Sequence, residues 1–277
     1  MSDSKAALPS LDSLEISEGL SGKTEAPKEI EITKQLGDGA QATVYEAHYR
    51  GENNVNSFAV KVFNSSPVNG DSAVEREFEI LKKLNGHENV IKASEFARGN
   101  GKLQIPRSIP KHEYDSLARY RTGFEEKESA TFMAMEKCKQ DFFDLISEKG
   151  PISSEPLVKY LFRQICSGVD ALHNTAGYAH LDIKLENILI GQDYKLKLCD
   201  FGFSRDIKER LIKRSGTEGY MAPEIEKYGE SYMGLPADIF SLGVLLFIII
   251  FGVPPFTRAQ AEDRNYKIFS RKAEFFW

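Results

Sequence analysis

His180-Leu-Asp-Ile-Lys-Leu-Glu-Asn187 (HLDIKLEN) runs into Ile188-Leu-Ile190 and, a few residues on, into Leu196-Lys-Leu-Cys-Asp-Phe-Gly202 (LKLCDFG). The order of polar groups matters more than any one of them. Asp182 supplies a carboxylate, Lys184 a cation two residues later, and Asn187 an amide three residues after that. A carboxylate so placed can orient an attacking hydroxyl and accept its proton. Lys184 can neutralise a transferring anionic group, and the Asn187 oxygen can ligate a hard cation. Ile188–Ile190 and 196–198 read as short strands, which puts Asp200 at a strand end, a good place for a metal ligand. Any one aspartate alone reads most simply as a cap or turn residue.

Upstream, 30–36, 43–49 and 57–63 carry the β-branched and aromatic residues of strands, with glycines between them. Gly37-Asp-Gly39-Ala-Gln-Ala42-Thr-Val44 spans the first hairpin. Glycines let backbone N–H groups approach a phosphate closely, although many hairpins contain GxG and Ala42 stands where a third glycine would strengthen the motif. Another strand follows directly, which disfavours a dinucleotide-binding βαβ unit. In Phe58-Ala-Val-Lys61-Val-Phe, Lys61 is either a solvent-facing strand lysine or an ammonium within reach of a polyphosphate. Residues 72–85 have helical periodicity, with Val74, Phe78, Leu81 and Leu84 on one face and Gly86 as terminator. Of Glu75, Glu77 and Glu79 on this helix, Glu77 is the best-placed counter-ion for Lys61. Helical patterns then dominate at 154–173, 221–227, 236–252 and 259–271. A small β-rich part followed by a larger α-rich part indicates two lobes.

With these motifs assembled, the chain resembles the eukaryotic protein kinases, from about Ile30 to the C-terminus. The resemblance implies an α+β, bilobal fold: a leader at 1–28, a β-rich N-lobe at 29–136 carrying an insertion at 98–130, and a mainly helical C-lobe at 137–277. It implies serine/threonine kinase activity, with ATP and Mg²⁺ as cofactors and protein substrates. Lys61, paired with Glu77, would hold the ATP phosphates under the glycine loop of Gly37 and Gly39. Asp182 would be the catalytic aspartate, with Lys184 beside it, and Asn187 and Asp200 would hold metal. Phe132-Met-Ala-Met135-Glu136-Lys-Cys138 resembles the last N-lobe strand and hinge. Met135 would then be the gatekeeper, Glu136 and Cys138 would meet adenine through their backbone, and Asp141 would face the ribose. Val44, Ala59 and Leu189 would sandwich the ring. Lys184 and Thr217 resemble the serine/threonine rather than the tyrosine branch, and the catalytic loop and the APEI segment (Ala222–Ile225) resemble those of calcium/calmodulin-dependent-type kinases. Ala222-Pro-Glu224 resembles the APE motif, and Asp238 the buried aspartate that opens the central large-lobe helix. Glu186 is either a reader of upstream basic residues in substrates or a solvated glutamate.

Two departures from the family pattern qualify this. Leu181 stands where most kinases have Arg, and Lys213 occupies the usual phosphorylated position of the 200–224 loop. Both halves of a phosphate–Arg switch are thus replaced, and loop phosphorylation at this position is expected not to control activity. The family's large lobe continues past the point where this chain ends at Trp277, so the C-lobe reads as short and Glu224 as lacking its usual Arg. A nucleotide-binding scaffold is the alternative reading.

Composition fits. A length of 277 residues suits two lobes, and 41% apolar against 28% charged residues excludes wholesale disorder. A net charge of −5 argues against nucleic-acid binding by bulk charge. The three cysteines (Cys138, Cys166, Cys199) form no disulfide framework and point to a reducing compartment, cytoplasmic or nuclear. The start of the chain has no signal-peptide pattern. Residues 239–253 form an apolar run, shorter than the roughly 20 residues of a membrane span and read as a core helix. Residues 1–28 read as a Ser-rich, disordered leader in which Leu8, Leu11 and Leu14 could form one helical turn. The 98–130 stretch reads as a partly flexible surface insertion.

Overall fold

The computed structural model describes residues 30–39, 41–51, 57–64, 72–106, 124–227 and 229–271. The leader expected at 1–28 and residues 107–123 of the expected insertion lie outside the described residues. The chain forms two compact units, one from residues up to 66 with 94–135, the other from 67–93 with 136–277.

The first unit is a closed five-stranded barrel in the order β1-β2-β3-β5-β4. Its strands are β1 (Ile30–Asp38), β2 (Ala42–Tyr49), β3 (Phe58–Phe63), β4 (Ala93–Pro106) and β5 (Phe124–Met135). Neighbours run antiparallel from β1 to β2, β3 and β5, while β1 and β4 pair in parallel through Ile30↔Leu103. Alternation drives this: Ile30 and Ile32, then Val60 and Val62, point inward to join Ala47, Leu103, Ala130 and Phe132 in one core. The expectation for 98–130 needs correction, because β4 runs to Pro106 and β5 starts at Phe124. Their Gly, Lys and Glu residues hide the strand signal, since what stabilises them is cross-strand pairing rather than local propensity.

The second unit begins with α1 (Ser72–Lys83), so the chain does not divide simply at residue 136. Arg76 donates to the Ser204 carbonyl (2.9 Å) and Lys83 to that of Ala176 (3.3 Å), fastening α1 to the later chain. Its buried face is Val74, Glu77, Ile80, Leu81 and Leu84; Phe78 lies only partly inside, and a carboxylate takes the position between. Next come β6 (Gln140–Asp141), α2 (Phe142–Lys149) and α3 (Glu155–Ala171), which passes through a π turn at Leu172–Ala176 into β7 (Tyr178–Ala179). The short strands β8 (Ile188–Ile190) and β9 (Leu196–Leu198) pair with each other, and β6 lies beside β8. Then β10 (Arg205–Asp206), β11 (Arg210–Leu211), α4 (Pro223–Glu226), β12 (Tyr232–Met233), α5 (Gly234–Phe251) and α6 (Arg264–Arg271) complete the unit.

Helix α5 is apolar and long enough to cross a membrane by length and composition. One face buries Leu242, Leu245, Ile248 and Ile249 together with the polar Asp238 and Ser241, while Ile239 and Phe251 are exposed. Helix α3 lies against β9 through Gly168, where an added Cβ would fall 2.5 Å from the Asn89 carbonyl oxygen. That oxygen already accepts the Leu198 N–H at 2.9 Å, so the backbone there cannot retreat without losing a bond. Gly168→Ala is therefore expected to cost about 1–3 kcal/mol, as overpacking does, read as a lower denaturant midpoint at unchanged slope.

Candidate active site

The second unit gathers its polar groups around the loop after β7. The Asp182 carboxylate has three partners. Thr217 Oγ1 donates to Oδ1 at 2.6 Å, Asn187 Nδ2 donates to Oδ2 at 3.1 Å, and Lys184 Nζ lies 3.1 Å from Oδ2. Lys184 Nζ also donates to Thr217 Oγ1 at 2.9 Å, closing a ring of charge-assisted bonds. The second hydrogen of the Asn187 amide goes to the Asp182 carbonyl at 2.8 Å. With both amide hydrogens used, the group Asn187 has left to offer a ligand is its carboxamide oxygen. Asn187 and Asp200 come close because β8 and β9 pair and the Cys199 N–H donates to the Asn187 carbonyl (3.0 Å).

The loop itself is shaped from beneath. His180 is fully buried; its Nε2 donates to the Cys199 carbonyl at 3.0 Å while Nδ1 accepts from the Asp182 N–H at 3.2 Å. Asp238, also fully buried, accepts from the His180 N–H (2.6 Å) and His173 Nε2 (2.8 Å) on Oδ2, and from the Leu181 N–H (2.8 Å) on Oδ1. Leu181 has φ of +66° and Asp200 +61°, left-handed values that side chains rarely adopt. Such strain clusters at functional sites and persists only where surrounding bonds impose it.

The other expected residues are described in each unit separately. In the barrel, Val44 pairs with Lys61 and Ala59 with Met135, so these four share adjoining strands, and Gly37 pairs with Val44 at the hairpin. Gly39 donates its N–H to the Ala42 carbonyl at 3.0 Å, and Lys61 Nζ stands 5.5 Å from the Phe63 ring centroid. In the second unit Glu77 is the buried glutamate of α1, with Glu75 partly buried and Glu79 exposed. Asp141 pairs with Leu189 and caps α2 by accepting the Asp144 N–H at 2.8 Å, and burial raises its carboxyl above the usual range. Burial, with a smaller push from the Glu136 charge, drives the Cys138 thiol up to about 12.

Two arrangements were invisible in the sequence. Lys197 is buried, with Nζ 3.2 Å from Glu136 Oε1, and the same oxygen accepts the Lys92 N–H at 2.9 Å. Alternation within Leu-Lys-Leu suggests a solvent-facing lysine, and its partner lies 61 positions upstream. The Arg214–Glu226 ion pair likewise joins residues whose spacing carries no signal.

The sequence profile described as "Protein kinase domain" matches residues 30–276. The chain belongs to the protein kinase domain family. Its curated relatives are serine/threonine kinases. The maternal embryonic leucine zipper kinase of Xenopus laevis is 38% identical, the match covering 90% of this chain and 33% of the relative. The probable kinase fhkA of Dictyostelium discoideum is 31% identical (88% and 42%). The probable cell cycle kinase CDC5 homolog of Encephalitozoon cuniculi is 30% identical (84% and 43%). The kinase-family chain thus spans less than half the length of these relatives.

Removing the Asp238 carboxylate leaves two backbone N–H groups and an imidazole buried without an acceptor. Asp238→Ala is expected to destabilise the fold by about 3–5 kcal/mol, measured by chemical denaturation. With a pKa near 12 only about one Cys138 thiol in 10⁴ is ionised at pH 8. Mass spectrometry should therefore find Cys138 unlabelled by iodoacetamide on a timescale that saturates the Cys residues of the denatured chain.

Proposed function

We propose that this chain is the catalytic domain of a serine/threonine protein kinase, transferring the γ-phosphoryl group of ATP to serine or threonine hydroxyls of proteins. The observation that carries the reading is the fully partnered, nearly buried Asp182 carboxylate, held by Thr217, Asn187 and Lys184. Held this way it can aim a substrate hydroxyl. The hydroxyl oxygen forms the new bond to phosphorus, the bond to the bridging oxygen of ADP breaks, and the hydroxyl proton passes to Asp182. Lys184 offers positive charge beside the transferring group.

The Asn187 oxygen and the Asp200 carboxylate suit a divalent cation, and two hard protein oxygens match Mg²⁺, which fills its remaining positions with phosphate oxygens and water. Such an ion would draw negative charge off the phosphates. Lys61, Gly37, Gly39 and Glu77 are assigned to phosphate holding, and Val44, Ala59, Met135, Glu136, Cys138, Asp141 and Leu189 to the nucleoside. The exposed Glu186 supports substrates with basic residues upstream of the acceptor. Cys138, Cys166 and Cys199 are in no disulfide, which supports a cytoplasmic or nuclear setting. Control by phosphorylation at the Lys213 position is replaced by the chain's own contacts. Leu181 is buried with Leu211, Met221 and Ile225, where an arginine would be poorly accommodated.

The test is transfer of labelled phosphate from Mg·ATP to a basic serine peptide. Asp182→Asn should lower kcat by roughly 10²–10⁴. Equal activity in the variant would overturn the role assigned to Asp182, and none in the parent chain would favour a nucleotide-binding scaffold. Phosphatase treatment should leave kcat unchanged, and a large gain on phosphorylation of Ser215 would contradict the regulatory part.

A further inference from the structure

The segment between Asp200 and Glu224 is fastened at successive points. Strand β10 pairs with β7, and β11 with β12. Tyr232 donates its hydroxyl to the Lys213 carbonyl at 2.8 Å. The last point before the active site is Arg214. Its Nε and Nη2 donate to the two carboxylate oxygens of Glu226, each at 3.1 Å, a bidentate fork. The Glu226 side chain is only 3% exposed and also accepts from Gln260 Nε2 at 3.0 Å. Arg214 Nη2 donates in addition to Glu218 at 3.2 Å, and Arg258 pairs with the same Glu218 oxygen.

These contacts bracket Thr217. Arg214 lies three residues before it and Glu218 one residue after, so their ion pair closes a short loop with Thr217 inside. Gly216 lets that loop settle onto the Asp182 region: its φ is +113°, and a Cβ there would stand 2.6 Å from the Leu181 carbonyl oxygen. The loop then presents Thr217 Oγ1 to Asp182 at 2.6 Å.

We propose that Arg214 is the positioning residue of this segment: its guanidinium, shared by Glu226 and Glu218, holds Thr217 on Asp182 in the unmodified chain. Regulation of the site is then electrostatic and built in. Glu226 acts as a fixed internal anion that takes up the arginine, with no phosphate required. This rests on the kinase reading above, because it assumes that Asp182 serves the transfer. Arg214 itself touches no reacting atom.

The experiment compares the parent chain with Arg214→Leu, Arg214→Lys, Arg214→Glu, Glu226→Arg and the charge-swapped pair Arg214→Glu with Glu226→Arg. Kinetics and amide hydrogen exchange at 215–219 are the readouts. Arg214→Leu should lower kcat by about tenfold to a hundredfold, the scale expected when a reacting geometry is loosened, and speed exchange at 215–219. Its KM for ATP should stay within about twofold, since ground-state binding is untouched. Arg214→Lys keeps the charge without the fork and should fall between. The swapped pair should regain activity and protection over either of its single substitutions. Wild-type kcat and exchange in Arg214→Leu, or a swapped pair no better than Glu226→Arg alone, would overturn the proposal. If the parent chain transfers no phosphate, the kinase reading fails instead, and the exchange comparison still decides whether Arg214 holds the loop.

Discussion

A fully buried carboxylate organises the second unit. Asp238 sits inside α5, a helix whose other residues are apolar except Ser241, and is fully buried. A bare charge in such a place would be costly, and only donors from the protein can offset that cost. The donors are the N–H groups of His180 and Leu181 and the imidazole of His173. Satisfying Asp238 therefore dictates the backbone of the loop that carries Asp182. The left-handed φ of Leu181 follows from this demand, since the strain is small beside the desolvation penalty it helps to relieve. His180 extends the constraint, tying the loop to Cys199 and so to the strand end that bears Asp200.

Much of this was legible in the sequence, for a specific reason. The residues assigned to the site sit close along the chain: Asp182, Lys184 and Asn187 fall within six residues, and Asp200 follows a short apolar strand. Local spacing carries that information. The strands at 30–36 and 43–49 and the core helix at 236–252 announce themselves by periodicity and apolar content. What stayed hidden depends on distant partners. The glycine-rich, charged ends of β4 and β5 become strands only because they face each other's neighbours in a barrel. Lys197 reads as a surface residue until Glu136 is brought to it. The buried face of α1 turns so that Glu77 points inward, which hydrophobic spacing alone would not choose.

Leu181 shows how a departure from a family pattern is absorbed. An arginine there would bring a charge that needs an anion. Leucine instead joins Ala179, Leu211, Met221, Ala222, Ile225, Tyr232 and Ala237 in an apolar cluster beneath the 200–224 segment. Apolar packing is non-directional, so it gives the segment a footing without fixing where Thr217 points. Direction comes from hydrogen bonds and ion pairs: Tyr232 on Lys213, Arg214 on Glu226, Thr217 on Asp182. The anionic partner of the segment is thus a glutamate built into the chain.

The account makes Asp238 the origin of this order, and amide hydrogen exchange of the His180 and Leu181 N–H groups measures it most directly. Both donate to a fully buried carboxylate, so both should exchange only when the whole second unit opens. Their apparent free energies would then equal the unfolding free energy from denaturant titration. Exchange at the rate of surface loop amides such as that of Lys208 would contradict the account, because the catalytic loop would then be free of the aspartate said to shape it.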